Sequence, residues 1–241
     1  MRRAGRIVAG TISTVLEAVR PGVTTADLDA VAHDYIGRQG ASPSFLGYRG
    51  TYPATICASI DHEIVHGIPS AARRLEEGQL LSLDFGAIWE GFHGDSAVSL
   101  FVGGAAPSED ADRLLKTTEE ALYAGIAAAQ PGGRLSDVGH AIETVADAAG
   151  LGIVREYGGH GIGRSMHEDP FIQNFGRPGR GPDLRPGLVI AIEPMFMLGE
   201  EQTRVLADEW TVVTADGSLA AHFEHTVAVT EDGPEVLTAR G

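Results

Sequence analysis

Four carboxylates interrupt or end apolar segments whose composition otherwise predicts β-strands: Asp84, Asp95, Glu193 and Glu224. A charged side chain in a strand that packs into a core is costly unless it is paired or binds a metal. Any one of these residues alone is more commonly an acid at the surface or at a strand end. All four together, two in each half of the chain, predict a fold that brings them to one place.

The first two carboxylates belong to a predicted hairpin. Two apolar, β-rich runs meet at Glu90-Gly91, which predicts a tight turn. In that register Asp84 lies opposite Ala97, and Asp95 is two residues from Ala97. Because side chains alternate along a strand with a period of two, both carboxylates lie on one face as diagonal neighbours. Two buried carboxylates this close repel each other or share a proton unless cations lie between them.

The second half of the chain repeats the organisation of the first, with halves of about 1–104 and 105–241. A shift of 110 residues superposes Pro21, Gly22, Asp27 and Gly40 on Pro131, Gly132, Asp137 and Gly150. A shift of 109 superposes LEEGQLLSLD on LRPGLVIAIE. We therefore expect one α+β domain, built from two helix-helix-strand-hairpin halves with pseudo-twofold symmetry, with mostly antiparallel strands. The alternative is two α+β segments that are similar independently.

Composition excludes several classes of protein. The 241 residues carry a formal net charge of −15, which argues against binding to a nucleic-acid backbone. No apolar run approaches 18 residues and no signal peptide is visible, so we expect a cytoplasmic protein with no membrane segment. We also expect a monomer, because no helix has a long exposed apolar face.

A glycine-rich segment, 158–170, supplies the candidate nitrogen ligands His160 and His167, and His66 is a third candidate. One or two imidazoles among the four carboxylates suit two divalent ions such as Mn, Fe, Co or Zn, bridged by carboxylates. The histidines that flank Glu224 are interpreted as solvated or structural.

Nucleophilic catalysis by the chain itself has little support in the sequence. Cys57 is the only cysteine, which excludes an intramolecular disulfide and a cysteine-based zinc site. It lies in an apolar strand without an evident positive neighbour, which favours packing over thiolate chemistry. The sequence contains no Gly-x-Ser-x-Gly elbow and no phosphate-binding loop.

Five ordered segments resemble the type I methionine aminopeptidases, which are dimetal exopeptidases with the pita-bread fold. They are EIVHGIP (63–69), LDFGAIWEGFHGDSA (83–97), EYGGHGIGRSMHEDP (156–170), AIEPM (191–195) and FEHTVAVT (223–230). The resemblance runs along essentially the whole chain. It implies a single catalytic domain over 1–241, in which the two halves surround a curved antiparallel sheet.

The resemblance also implies roles for individual residues. Five would bind two divalent ions: Asp84, Asp95, His160, Glu193 and Glu224. Asp95 and Glu224 would bridge the ions, and Glu193 would also act as general base. His66 and His167 would face the substrate and take part in catalysis, His167 by donating to the developing oxyanion or the scissile group and His66 by contacting the peptide beyond the cleaved bond. The methionine pocket would be lined by Tyr48, Tyr52, Cys57, Met166 and Trp210.

The implied activity is removal of the N-terminal methionine from nascent polypeptides, with a small second residue, by attack of a metal-bridging hydroxide. Ribosome association is a family-level expectation that no basic patch here supports strongly. The sequence departs from the family pattern at Asp61-His62, Met166 and Glu209. The alternatives are an X-Pro aminopeptidase or prolidase-like peptidase, and a non-catalytic peptide-binding module with the same fold.

Overall fold

Each half of the chain begins with a pair of helices and continues into short strands. The structure is a computed structural model, and it describes residues 1–240. The helices are α1 (Arg2–Leu16), α2 (Thr25–Arg38), α3 (Glu109–Ala128) and α4 (Leu135–Ala149). The strands of the first half are β1 (Ser42–Pro43), β2 (Ile56–Ile60), β3 (Glu63–Val65), β4 (Leu80–Trp89) and β5 (Phe92–Phe101). Those of the second half are β6 (Gly152–Ile153), β7 (Gly159–Gly161), β8 (Glu168–Ile172), β9 (Val189–Ile192), β10 (Met195–Met197), β11 (Thr203–Val205), β12 (Val212–Thr214), β13 (Ala220–His222), β14 (His225–Thr230) and β15 (Gly233–Val236).

Local sequence signals account for the ends of the helices. The Thr24 hydroxyl accepts the Asp27 N–H and the Asp27 carboxylate accepts the Thr24 N–H, a capping box that starts α2. Ser108 caps the start of α3, where its hydroxyl accepts the Ala111 N–H. Gly150 adopts the left-handed conformation that ends α4.

All strand pairs among the described residues are antiparallel, which confirms the predicted α+β class. Strand β4 pairs with β1, β2 and β5, and a five-stranded sheet has the order β15-β14-β9-β7-β8. Two three-stranded sheets have the orders β13-β10-β6 and β11-β12-β3. Main-chain hydrogen bonds between Ala97 and Glu224, at 3.0 and 3.3 Å, connect the first half to the second.

The apolar, β-rich segments 188–197 and 222–229 each predict one continuous strand, and both are broken in the structure. The predicted strand 188–197 divides into β9 and β10 at Glu193-Pro194, and 222–229 divides at Phe223-Glu224. At the first break, Pro194 lacks an N–H to donate to a neighbouring strand, so the hydrogen bonding of the sheet cannot continue unchanged through this residue. The two breaks face each other, because β9 pairs with β14 and β10 pairs with β13.

The main apolar core contains side chains from both halves, among them Ile12, Leu28, Phe85, Leu122, Ile142 and Phe196. All six are almost fully buried, and they lie between the helix pairs and the strands. Burial of large apolar side chains at this level stabilises the fold by about 1.5–3 kcal/mol each. Within residues 1–240, no helix is both long and apolar enough to cross a membrane.

Candidate metal centre

Glu193 and Glu224 lie at the two opposed strand breaks. The register is the same on both sides of the breaks, with Ile192 opposite His225 and Met195 opposite His222. The two glutamates therefore occupy facing positions on neighbouring chain segments. Like charges directly opposite each other destabilise a sheet, so this arrangement favours a cation between them.

Asp84 and Asp95 lie on the β4–β5 hairpin in the register that the sequence predicts. Asp84 pairs with Ala97, Gly86 pairs with Asp95, and Glu90-Gly91 forms the turn with positive φ angles of 50° and 77°. Both carboxylates are on one face of the hairpin, which confirms the prediction. Ala97 in turn bonds to the main chain of Glu224, which brings the carboxylates of the two halves together.

His160 reaches the carboxylates from β7, between two glycines. A Cβ at Gly159 would collide with the Ala191 carbonyl, and one at Gly161 would collide with the Asp169 carbonyl, so only glycine permits this close packing. The His160 Nδ1 lies 2.9 Å from the Gly161 carbonyl oxygen. A carbonyl oxygen only accepts, so Nδ1 carries a proton, and Nε2 is the ring nitrogen that can bind a metal once it is deprotonated.

The His160 Nε2 atom lies 3.6 Å from a carboxylate oxygen of Asp95 and 3.6 Å from one of Glu193. Burial lowers the pKa of His160, but the neighbouring carboxylates of Asp95 and Glu193 outweigh it and raise the pKa to about 9. Without a cation, the surrounding carboxylates therefore favour a proton on this imidazole. A metal ion would take the place of that positive charge.

Unpaired oxygens make the cluster suitable for cations. Asp84 Oδ1, Asp95 Oδ1 and Glu224 Oε1 are shielded from solvent and have no hydrogen-bond partner among the described residues. Potential ligand atoms of Asp95, His160 and Glu224 all lie within 4.8 Å of one another. Burial and the charge of Asp95 raise the pKa of Asp84 and of Glu224 well above the usual range. This set of carboxylate oxygens and one imidazole nitrogen fits divalent metal ions.

Two further histidines, His66 and His167, line the same cavity. Burial, with the neighbouring His222 and His167, lowers the pKa of His66 to about 4. Burial and His160 lower the pKa of His167 to about 4 as well. Both rings are therefore neutral near pH 7 and can donate one hydrogen bond each.

The Tyr48 hydroxyl lies 2.7 Å from the His167 Nδ1 atom, and their ring centroids are 5.3 Å apart. This contact places Tyr48 at His167, in addition to its predicted place in the wall of the pocket. A hydroxyl held on Nδ1 limits the orientations available to the imidazole ring. The other ring nitrogen, Nε2, then remains for interaction with a bound molecule.

An apolar pocket adjoins the carboxylates in one cavity of about 550 Å³. The predicted pocket residues Tyr48, Tyr52, Cys57, Met166 and Trp210 all line this cavity. The rings of Tyr52 and Trp210 meet edge to face, with centroids 5.0 Å apart. Cys57 is opposite Asp84 in the β2–β4 register, so it lies where the apolar wall meets the carboxylates.

The buried thiol of Cys57 is not a nucleophile at neutral pH. Burial and the charge of Asp84 raise its pKa well above the usual range. The thiol therefore stays protonated, which agrees with the packing role that the sequence favours.

Sequence reasoning missed Phe45 and did not predict the burial of two histidines in this region. Phe45 belongs to the apolar wall and meets Tyr52 edge to face, with centroids 6.4 Å apart. Of the two interpretations of His222 and His225, solvated or structural, only the structural one agrees with the structure, since both are at least 96% buried. The His222 Nε2 atom lies 3.6 Å from a Glu193 carboxylate oxygen. The apolar residues around Glu224 were the available signal, because they place both histidines in or beside strands that are buried on both faces.

The donor set, together with the adjoining cavity, has the features of a metal-dependent enzyme. The model of metallopeptidase family M24 matches residues 1–231, and the chain belongs to this family. This confirms the family resemblance carried by the five motifs.

Relatives match over nearly the full length of the chain. It is 54% identical over 244 residues to methionine aminopeptidase 1 of Mycobacterium tuberculosis, covering 99% of this chain and 91% of the relative. It is 51% identical over 238 residues to a methionine aminopeptidase of Clostridium acetobutylicum, covering 99% and 94%. The crystal structure of a methionine aminopeptidase from Thermotoga maritima superposes with a TM-score of 0.96 at 41% identity, covering 100% and 95%. The predicted pita-bread fold is thereby confirmed.

Divalent metal ions are expected to stabilise the folded protein. At a free ion concentration one hundred times Kd, binding adds about 2.7 kcal/mol, which raises the unfolding midpoint of a chain of this size by roughly 5–10 °C. Thermal unfolding of EDTA-treated protein, with and without added Mn²⁺ or Co²⁺, measures the shift. An unchanged midpoint at saturating metal would contradict a metal centre built from these residues.

The same experiment has a defined pH dependence. The folded-state pKa values of Asp84, Glu224 and His160 are raised, so their contribution to stability is present at low pH and is lost as pH rises through those values. Between pH 7 and 8.5 the midpoint of the metal-free protein is therefore expected to fall. Bound metal requires the deprotonated ligands, so the metal-loaded midpoint is expected not to fall over this range. Parallel pH dependence with and without metal would contradict this assignment.

Proposed function

We propose that this chain is a methionine aminopeptidase, a metal-dependent exopeptidase that removes the N-terminal methionine of polypeptides. The observation that carries the proposal is one cavity in which carboxylates with unpaired oxygens adjoin an apolar pocket of aromatic and sulfur-containing side chains. The activity named for relatives at 51–54% identity supports it. A flexible thioether side chain suits a pocket lined by such groups.

Five residues bind two divalent ions in this proposal: Asp84, Asp95, His160, Glu193 and Glu224. Asp95 and Glu224 would be shared by the two ions, Asp84 would complete one site, and His160 and Glu193 would complete the other. The unpaired oxygens of Asp84, Asp95 and Glu224 support these assignments. Co, Mn, Fe and Zn all suit such a donor set.

When bound, divalent cations at this site supply an acidified water and polarise the carbonyl of the scissile bond. Glu193 accepts the proton that the water releases and passes it to the nitrogen of the departing peptide. The His167 ring donates a hydrogen bond to the developing oxyanion, with its other nitrogen held by Tyr48. His66 contacts the peptide beyond the cleaved bond, and its neutral form at pH 7 suits that role.

The remaining parts of the proposal concern the protein as a whole. Residues 1–241 form one catalytic domain with pseudo-repeat halves, although Gly241 lies outside the described residues. The apolar core shared by both halves supports a single unit. The protein acts as a monomer on nascent chains in the cytoplasm. The few large exposed apolar side chains, Leu46, Tyr123, Phe171 and Val205, support a monomer.

Cleavage of Met-Ala-Ser by protein loaded with Co²⁺ or Mn²⁺ tests the activity. We expect release of methionine and Ala-Ser, with much slower cleavage of Met-Trp-Ser, because the proposed activity includes a preference for a small second residue. N-acetyl-Met-Ala-Ser is the matched control and should resist cleavage, since it lacks the free amine. Faster hydrolysis of Ala-Pro or Met-Pro would identify an X-Pro peptidase instead. Binding of peptides without hydrolysis at any metal loading would identify a peptide-binding module.

A further inference from the structure

The two bridging carboxylates are on different halves of the chain, so their separation depends on how β5 meets the segment around Glu224. Ala97 and Glu224 exchange two main-chain hydrogen bonds across this junction, at 3.0 and 3.3 Å. This pair is the only main-chain pairing between the two segments among the described residues. A single pair of bonds does not fix the angle between two strands.

The antiparallel register continues on both sides of this pair, but side-chain hydroxyls replace main-chain partners. The Asp95 N–H donates to the Thr226 hydroxyl at 3.0 Å, and that hydroxyl donates to the Asp95 carbonyl at 2.7 Å. On the other side, the Ser99 hydroxyl donates to the His222 carbonyl at 2.8 Å and accepts the His222 N–H at 3.0 Å. Each hydroxyl therefore takes the place of both polar groups of a residue in a strand ladder.

The main chain of Thr226 is committed to another segment. Its N–H donates to the Thr238 hydroxyl at 3.1 Å, and its carbonyl accepts the Leu237 N–H at 2.8 Å. At Thr226, the main chain of β14 therefore pairs with the C-terminal segment and no longer with β5. Without the Thr226 hydroxyl, both main-chain groups of Asp95 would lose their hydrogen-bond partner on this edge. Thr226 is fully buried and Asp95 is 3% exposed, so water cannot replace that partner readily.

We propose that Thr226 is a positioning residue, whose hydroxyl holds the Asp95 main chain at the separation from Glu224 that metal binding requires. The proposal rests on the proposed function, because it takes Asp95 and Glu224 as the shared ligands. Thr226 lies in β14, two residues after Glu224. One side chain therefore couples the two carboxylates that come from the two halves.

Substitutions at Thr226 separate the hydroxyl from the shape of the side chain. Thr226→Val keeps the size of the side chain and removes the hydroxyl, whereas Thr226→Ser keeps the hydroxyl. Thr118→Val is the matched control, because Thr118 is also fully buried and its hydroxyl bonds within α3, to the Leu114 carbonyl at 2.7 Å. The measurements are the Co²⁺ affinity of the metal-free protein by calorimetry, the visible spectrum of bound Co²⁺, and the unfolding midpoint in EDTA.

Thr226→Val is expected to weaken Co²⁺ binding at least about tenfold, the effect of one lost hydrogen bond near 1.4 kcal/mol, and to change the Co²⁺ spectrum. Thr226→Ser and Thr118→Val should keep the wild-type affinity and spectrum. Wild-type affinity in Thr226→Val, or an equal loss in Thr226→Ser, would overturn the positioning role while leaving the peptidase assignment intact. If Thr226→Val does not fold, Thr226→Cys, with its weak thiol donor, should bind Co²⁺ more weakly than Thr226→Ser, and equal affinities would overturn the role. A wild-type protein that binds no Co²⁺ would overturn the metal centre itself.

Discussion

Asp95→Asn is expected to lower the turnover of Met-Ala-Ser by at least about 10³-fold and to reduce the amount of bound metal. The substitution keeps the shape of the side chain but removes its charge and one acceptor oxygen. Charge stabilisation by a metal in the transition state is worth several kcal/mol, and about 4 kcal/mol corresponds to 10³-fold. Asp95 is buried and adjoins His160, so no exposed group can take over as ligand.

The same variant is expected to be more stable than the wild type when metal is absent. The charge of Asp95 contributes to the raised pKa of Asp84 and of Glu224, so its removal relieves repulsion inside the cluster. Steady-state kinetics, metal analysis and thermal unfolding in EDTA measure the three effects. Asp29→Asn is the control, because this half-buried carboxylate accepts the Thr55 and Ile56 N–H groups away from the cavity. Full activity and full metal content in Asp95→Asn would contradict its role as a bridging ligand.

Glu193→Gln is expected to lower kcat by about 10²–10⁴-fold, the usual contribution of a general base, with a smaller effect on KM. The amide oxygen can still contact a cation, but the side chain can no longer take up a proton. Glu193 is close to both His160 and His222, each at 3.6 Å, so a histidine lies beside each of its carboxylate oxygens. The position is therefore better defined than that of an ordinary surface glutamate.

Glu156→Gln is the matched control for this substitution. Glu156 is an exposed carboxylate that lines the same cavity, and its loss should leave kcat unchanged. Comparison of the two variants separates proton transfer from a general change of charge in the cavity. A decrease in kcat below tenfold for Glu193→Gln would mean that another group is the base.

The geometry of the first half could be predicted from sequence because it is local. A two-residue turn fixes the register of its hairpin, and the register fixes the face of each side chain. Asp84 and Asp95 therefore came out on one face, as the structure has them. The periodicity of the helices and the Pro-Gly punctuation are local signals of the same kind.

The geometry of the second half could not be predicted in this way. Glu193 and Glu224 face each other because two separate strands break at the same level, and their pairing is between segments about 30 residues apart. Sequence patterns gave continuous strands at both places, since the apolar alternation runs through Pro194 and Phe223. The hydroxyl of Thr226 is a contact across 131 residues, for which the sequence holds no local signal.

The residues of the pocket also fall into two groups, those that could be predicted from the sequence and those that could not. Cys57 and Met166 could be placed near the carboxylates by resemblance to a known family. Phe45 and His222 could not, because neither lies in a motif position with an assigned role. Their burial is set by packing of the assembled strands, and a sequence pattern reports such packing only in part.

Diffraction from a crystal soaked in Mn²⁺, recorded on either side of the manganese absorption edge, locates any bound ions without assumptions about activity. Two anomalous peaks are expected inside the carboxylate cluster, both in contact with Asp95 and Glu224, one also with Asp84 and the other with His160 and Glu193. Peaks elsewhere on the protein, or an empty cluster at saturating Mn²⁺, would contradict a metal centre assembled from both halves of the chain.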